Sequence, residues 1–221
     1  MFILTGQSKK TILSVLICCT SFMAFSQNIV DTAARPQVFA HGVASTPYDE
    51  WATSFTPDGR TVFFSQGGLY WTICFSKMVA GKWSRPNVIS FSGKWNDTDP
   101  FVSPDGKRMF FISNRPVDTA SDKNKYNKNY HIWYADCLAG DNWSAPHHLD
   151  APVNINGSNN YAPSVSRSGT LCFCSRGRDG HDGMASYSAK WLGDHYDTPQ
   201  LFTLNGKEDS RTPSSPPMKA T

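Results

Sequence analysis

Thr56-Pro57-Asp58-Gly59 leads into the apolar run Val62-Phe63-Phe64, and the same arrangement returns 47 residues later as Ser103-Pro104-Asp105-Gly106 ahead of Met109-Phe110-Phe111. Proline presets φ at the second position of a tight turn, Asp58 or Asp105 tolerates the third and bonds its own backbone, and Gly59 or Gly106 takes the left-handed position that returns the chain. Each copy therefore reads as a β-hairpin turn. A third copy, Ser166-Arg167-Ser168-Gly169 before Leu171-Cys172-Phe173-Cys174-Ser175, loses the Pro and Asp but keeps its glycine, Gly169. A short apolar stretch precedes every turn, and a second landmark closes every unit: Trp83-Ser84-Arg85-Pro86, Trp143-Ser144-Ala145-Pro146 and Tyr196-Asp197-Thr198-Pro199. Another β-rich stretch lies between the landmarks, so one unit holds about four short strands, the sequence form of a propeller blade. The expected fold is all-β: four-stranded antiparallel blades, about three of them, in an incomplete or truncated propeller.

The succession of Pro, Ser-Pro-Asp-Gly, an aromatic-rich strand ending in Ser, and Trp-Ser-x-Pro resembles the WD40-like repeats of the TolB-like group, often called PD40 repeats. Ser113-Asn114-Arg115 and Ser175-Arg176-Gly177 resemble the Ser-x-Arg that ends the second strand there. The resemblance covers residues 46–202. It implies a propeller that binds proteins, accompanies peptidoglycan-binding domains or caps peptidases, with no cofactor.

Lys9 and Lys10 precede the apolar run 12–25, and Ala24-Phe25-Ser26 presents small residues at the positions a signal peptidase reads. The expectation is a secretory signal, 1–26, cleaved near Ser26, and a periplasmic or secreted product. The run is too short to span a bilayer, which takes roughly 20 residues, and none is expected after cleavage. Segment 27–45 is a polar lead-in with room for one outer strand. The units run 46–92, 93–152 and 153–202, and the Pro- and Ser-rich residues 203–221 read as a disordered tail. Propellers close with about four to eight blades. Three blades imply a degenerate fourth, a truncated member of a longer family, or association of copies through open blade edges.

The chain has 21 basic and 18 acidic residues, a formal charge of +3, without a basic stripe, which argues against a nucleic-acid partner. Lys123, Lys125 and Lys128 fall in a polar loop, 118–129. Of six cysteines, Cys18 and Cys19 leave with the leader; Cys74, Cys137, Cys172 and Cys174 read as small strand fillers, their disulfide state open, with no zinc spacing. Cys172 and Cys174 share one strand face.

Recurrence assigns Asp58 and Asp105 to the turns, and Trp83, Trp143 and Tyr196 to packing between neighbouring sheets. Among unrepeated residues, Asp97 and Asp99 precede the inner strand of the second unit and Asp49 with Glu50 holds the matching place in the first, so the four are candidates for an acidic mouth. Arg176, Arg178, Asp179 and His181 belong to a glycine-rich loop able to hold an anion or a cation, and Arg115 joins them as a binding candidate. His147-His148 reads as surface histidine. No nucleophile elbow, phosphate loop or cysteine-histidine set is present. The leading expectation is a non-catalytic exported module binding a protein or envelope glycan. Two alternatives stand: a glycan-processing enzyme using Asp97 and Asp99 with Trp95 as a sugar platform, and a remnant of a longer repeat protein.

Overall fold

A computed structural model describes residues 37–117, 127–139, 142–204 and 207–208. The expected leader, most of the 118–129 loop and the tail beyond 208 lie outside these residues. The first sheet runs β1 (Glu50–Phe55), β2 (Thr61–Gln66), β3 (Thr72–Val79), with short β4 (Lys82–Trp83) and β5 (Asn87–Val88) both paired to β3. The second repeats it as β6 (Asp97–Val102), β7 (Arg108–Ser113), β8 (His131–Ala139), with β9 (Asn142–Trp143) and β10 (His147–His148) on β8. The third is β11 (Asn159–Val165), β12 (Leu171–Arg178), β13 (His181–Ala189) and β14 (Gln200–Leu201). All pairings are antiparallel. These are three propeller blades.

The repeated turns form as their residues dictate. Ser103 Oγ donates to Asp105 Oδ1 at 2.6 Å, the Lys107 N–H donates to the same oxygen, and the Gly106 N–H closes the turn on the Ser103 carbonyl. Thr56, Asp58, Arg60 and Gly59 repeat the set. The hydroxyls of Thr56 and Ser103 hold the two turn carboxyls below their usual range. In the third copy Ser168 replaces the aspartate and bonds Ser166 at 2.8 Å. Gly106 sits at φ +73°, where an added Cβ would also meet Pro57 at 3.3 Å. Gly106→Val is expected to lower the denaturation midpoint far more than Lys107→Ala, a surface change worth within about 0.5 kcal/mol; equal midpoints would refute the turn's role.

The second landmark breaks each outer strand. Proline cannot donate to the ladder, and a polar side chain two residues before it satisfies a donor of the facing strand: Ser84 Oγ accepts the Lys77 N–H, Ser144 Oγ the Asp136 N–H, and Asp197 Oδ1 the Lys190 N–H. In the first two units the outer strand is thereby split into two short pieces, while the third keeps the expected single outer strand, β14, preceded by the isolated Trp191–Tyr196 bridge.

Successive sheets pack face to face, β6 against β1, β2 and β3, and β11 against β6, β7 and β8. Phe63, Ile73, Val102, Met109 and Phe111 belong to one core, Phe110, Ile132, Val165, Leu171 and Phe173 to the other. Two of the recurring aromatics lie between sheets as expected, Trp143 meeting Phe63 edge-on at 5.8 Å and Tyr196 joining the core of the second and third sheets, whereas Trp83 packs on Phe39 and Phe55. The described part of the lead-in, 37–45, makes no outer strand. Its only described pairing is the isolated bridge from His41 to Ser45, and Phe39 instead meets Trp83 edge-on at 5.5 Å, taking the place that Phe63 holds before Trp143. The tail also departs from its disordered reading at its start, where Thr203–Leu204 (β15) pairs with Lys207–Glu208 (β16) ahead of the Pro-rich part.

Candidate functional site

Each inner strand opens on a polar residue facing a polar residue of the next strand. Glu50 faces Gln66, Asp97 faces Ser113, and Asn160 faces Ser175. Gln66 Nε2 donates to Glu50, Ser113 Oγ to Asp97 at 2.6 Å, and Ser175 Oγ to Asn160 at 2.7 Å. Each inner strand then carries a bulge with a residue in the left-handed region: Ala52 at φ 52°, Asp99 at 53° and Ala162 at 47°. This repeated geometry corrects the acidic mouth. Asp97 is fully buried, bonded by Ser92 and Ser113 and paired with Arg115 Nη2 at 2.6 Å. Asp99 spends its carboxylate on the Ala162 N–H of the third sheet and the Thr98 hydroxyl. Burial pushes the Asp97 carboxyl up, against the pull of Arg115, Ser113 and Ser92. Against the upward push of its own burial, hydrogen bonds from Thr46 and Gln66 hold Glu50 below its usual range. Asp49 stays exposed at the edge of the first sheet.

The glycine-rich stretch is not a loop: β12 and β13 run almost to its middle, and only Asp179 at φ 54° and Gly180 at 76° turn the chain, a two-residue hairpin. Asp179 and His181 are exposed there. Arg178 is buried, donating to the Pro152 and Val153 carbonyls. The match to Ser-x-Arg also moves. Arg115 lies over Phe111 and Trp133, a cross-strand pair; Arg178, not exposed Arg176, lies over the corresponding pair Phe173 and Tyr187. A register shift between Arg176 and Arg178 delays the arginine by one residue.

Trp95 and Arg115 come together. They line a cleft of about 550 Å³ with Lys94, Trp133, His147 and His148, walled by Pro116, Val117, Ala145 and Pro146. Among the described residues no carboxylate lines it. Lys94 Nζ sits 5.3 Å from the Trp95 ring. Trp133 is 5% exposed, and its indole N–H is enclosed without an acceptor, a costly state for a buried donor. His147 and His148 point to opposite faces, His147 stacking on Tyr134 and His148 edge-on to Trp133. His148 departs from the surface reading, with a side chain 13% exposed. It links His131 Nδ1, 2.8 Å from its Nε2, to Asp150 Oδ1, 2.9 Å from its Nδ1, and Asn154 also contacts its Nε2. Burial, and then the neighbouring His148, push the His131 imidazole down to about 4.

Reading the sequence missed Trp133, Lys94 and the His131–His148–Asp150 chain. Trp133 sits in a strand whose counterparts, Cys74 and Tyr187, share no residue type with it, so no pattern marked it. The four described cysteines are free thiols. Among the described residues no group of His, Cys, Asp and Glu could hold a metal, and no helix is long and apolar enough to cross a membrane.

No family model and no curated protein sequence matches the chain. Among solved structures it is similar to a putative TolB from Agrobacterium tumefaciens, at 16% identity and a TM-score of 0.48, over 70% of this chain and 49% of that one. It is also similar to the periplasmic gluconolactonase PpgL of Pseudomonas aeruginosa, at 12% identity and a TM-score of 0.36, over 71% of this chain and 57% of the other. The chain thus corresponds to about half the length of each.

Proposed function

We propose that this chain is an exported, non-catalytic propeller module of the PD40 type that binds a carboxylate-bearing segment of a protein or cell-envelope polymer in the Trp95–Arg115–Trp133 cleft. One observation carries the reading: exposed Lys94 stands over the half-buried Trp95 ring in a cleft that also presents exposed His147, with no acid among its described lining residues. Such a site is short of acceptors, which a carboxylate or sugar oxygen would supply. Trp95 offers the apolar platform beside it. The non-catalytic part is supported by the engagement of Asp97 and Asp99 in structural bonds, which removes the acids of the glycan-processing alternative. Export rests on the Lys9-Lys10 leader and its apolar run.

Calorimetric titration with uronate oligosaccharides, peptidoglycan fragments and acidic peptides tests it. At least one class should bind, and Trp95→Ala should weaken it by about tenfold or more, the factor that corresponds to about 1.4 kcal/mol. Lys94→Ala, which removes the exposed cation beside that ring, should weaken it too, while Arg176→Ala should not. Absence of binding to every class, or binding indifferent to Trp95 and Lys94, would overturn the proposal.

A further inference from the structure

The two junctions between sheets differ at the end where the repeated turns lie. At the first, the turns themselves touch: a Cβ added to Gly106 of the second turn would meet the Pro57 ring of the first at 3.3 Å. At the second, the matching Gly169 instead has Trp191 of its own sheet as nearest neighbour, at 3.0 Å, and Pro104, which matches Pro57, walls a cleft of about 720 Å³. That is the volume of a small-ligand site. Trp191 stands where the other sheets have Met78 and Cys137, since it pairs with Tyr196 as they pair with Trp83 and Trp143. The third turn breaks the pattern on the same wall. Arg167 replaces Pro57 and Pro104, and Ser168 replaces Asp58 and Asp105, which gives up the preset φ of proline and the carboxylate that steadies the turn. Ser168 keeps the bond to Ser166, at 2.8 Å, but the turn gains nothing from exposed Arg167, whose side chain has no partner among the described residues.

We infer that this cleft between the second and third sheets is a binding site for an anionic group carried on a flat apolar body, an aromatic carboxylate being its simplest form. The inference stands on departures from the repeat and is independent of the Trp95 cleft. Residues that abandon a local rule without a local gain, and do so together on one wall, mark a site rather than a folding requirement. Charge fixes the sign of the ligand. The lining carries the cations Lys107, Arg108 and Arg167 against the acids Asp105 and Asp136, and both acids are already engaged. Asp105 Oδ1 accepts from the Ser103 hydroxyl and the Lys107 N–H, while Asp136 takes Arg108 Nε at 2.6 Å and Nη2 at 3.2 Å. Lys107 lies in the field of Asp105. Arg167 is thus the cation left unmatched, and its planar fork suits a carboxylate. The walls supply the apolar body's place. Phe110 and Val165 are buried, and Trp191, 37% exposed, meets buried Tyr196 edge-on at 5.0 Å, which leaves indole surface for a ring to stack on. An uncharged or cationic ligand would leave Arg167 as unmatched as before.

Calorimetric titration with phenylacetate and naphthoate should show binding, and the corresponding uncharged amides should bind about tenfold more weakly or less. Arg167→Pro restores the residue of the other two turns, so it should melt no lower than the wild type while losing about tenfold or more in affinity. Arg167→Gln, which removes the charge without a proline, should lose as much, and Trp191→Met, which installs the first sheet's residue, should weaken binding too. Half-buried Cys137 lines the cleft and reports the location: naphthoate should slow its alkylation by iodoacetamide and leave that of Cys172 unchanged. Absence of binding, equal binding of acid and amide, affinity untouched by both Arg167 variants, or a Cys137 that the ligand does not protect would overturn the inference. The proposed function is judged by Trp95 and Lys94 instead, so the failure of either reading leaves the other standing.

Discussion

Arg115→Ala should lower stability by about 3–5 kcal/mol, because it strands a buried charge. Asp97 is fully buried, and its carboxylate takes Arg115 Nη2 at 2.6 Å as its sole cationic partner among the described residues. The guanidinium also donates from Nε to Ser113 Oγ at 3.0 Å and lies 5.2 Å from the Phe111 ring and 5.4 Å from Trp133. Truncation removes all of this while the acid stays inside. Adding Asp97→Asn to Arg115→Ala should recover part of the loss, since the amide carries no charge, and that recovery identifies the stranded carboxylate as the cause. Arg108 provides the contrast: it pairs with Asp136 at 2.6 Å, but the two side chains are 31% and 40% exposed. Pairs of that exposure contribute about 0–1 kcal/mol. Urea titration of the variants decides; equal midpoints for Arg115→Ala and Arg108→Ala would show that the buried pair does not lock the second sheet.

The contrast between the two pairs shows what the sequence could convey. Turns, blades and the sharing of a face by Cys172 and Cys174 depend on local rules, and those are written in Pro57, Gly59, Pro104 and Gly106. The propeller was therefore legible. The role of Asp97 was not, because an acid before an inner strand looks alike whether it opens to solvent or pairs with an arginine 18 positions later. The repeat itself held the missing signal: Glu50, Asp97 and Asn160 occupy one position and each accepts from its cross-strand neighbour. A function repeated three times is structural, the same logic that placed Asp58 and Asp105 in turns, but the change from Glu to Asp to Asn hid it. The bulge at Arg178 hid the third-sheet arginine in another way, shifting by one residue a motif that depends on a fixed spacing. The cleft was half legible. Trp95 stood out as an aromatic beside Asp97 and Asp99, and Arg115 as the end of a Ser-x-Arg motif, whereas Trp133 reaches them only through the pairing of β7 with β8.

Acid should destabilise the chain between about pH 6.5 and 4 through His131. Its ordinary value is near 6.5, and burial with the neighbouring His148 pushes it to about 4 in the fold. A depressed histidine binds its proton more readily in the unfolded chain, so stability rises with pH across the interval. It is complete above the unfolded value, falls as pH drops toward the folded one, and changes no further below both. Geometry gives the same sign. With His148 Nδ1 donating to Asp150, His148 Nε2 has a lone pair for the His131 Nδ1 proton; charging both rings would bring two cations together at 2.8 Å. The consequence reaches the junction between the second and third sheets. Asn154, which contacts His148, also exchanges bonds with the Ile132 backbone and accepts from Asn160 of the third sheet. The carboxyls held low by hydrogen bonds, Asp58 and Asp105, act lower, below their ordinary 3.8, and Asp97, pushed up by burial, acts with the opposite sign. The difference between wild type and His131→Asn isolates the histidine, since asparagine keeps a donor and does not titrate. Thermal melting from pH 7.5 to 4 should show the wild type losing more than the variant below pH 6.5; parallel curves would remove His131 as the acid-sensitive group.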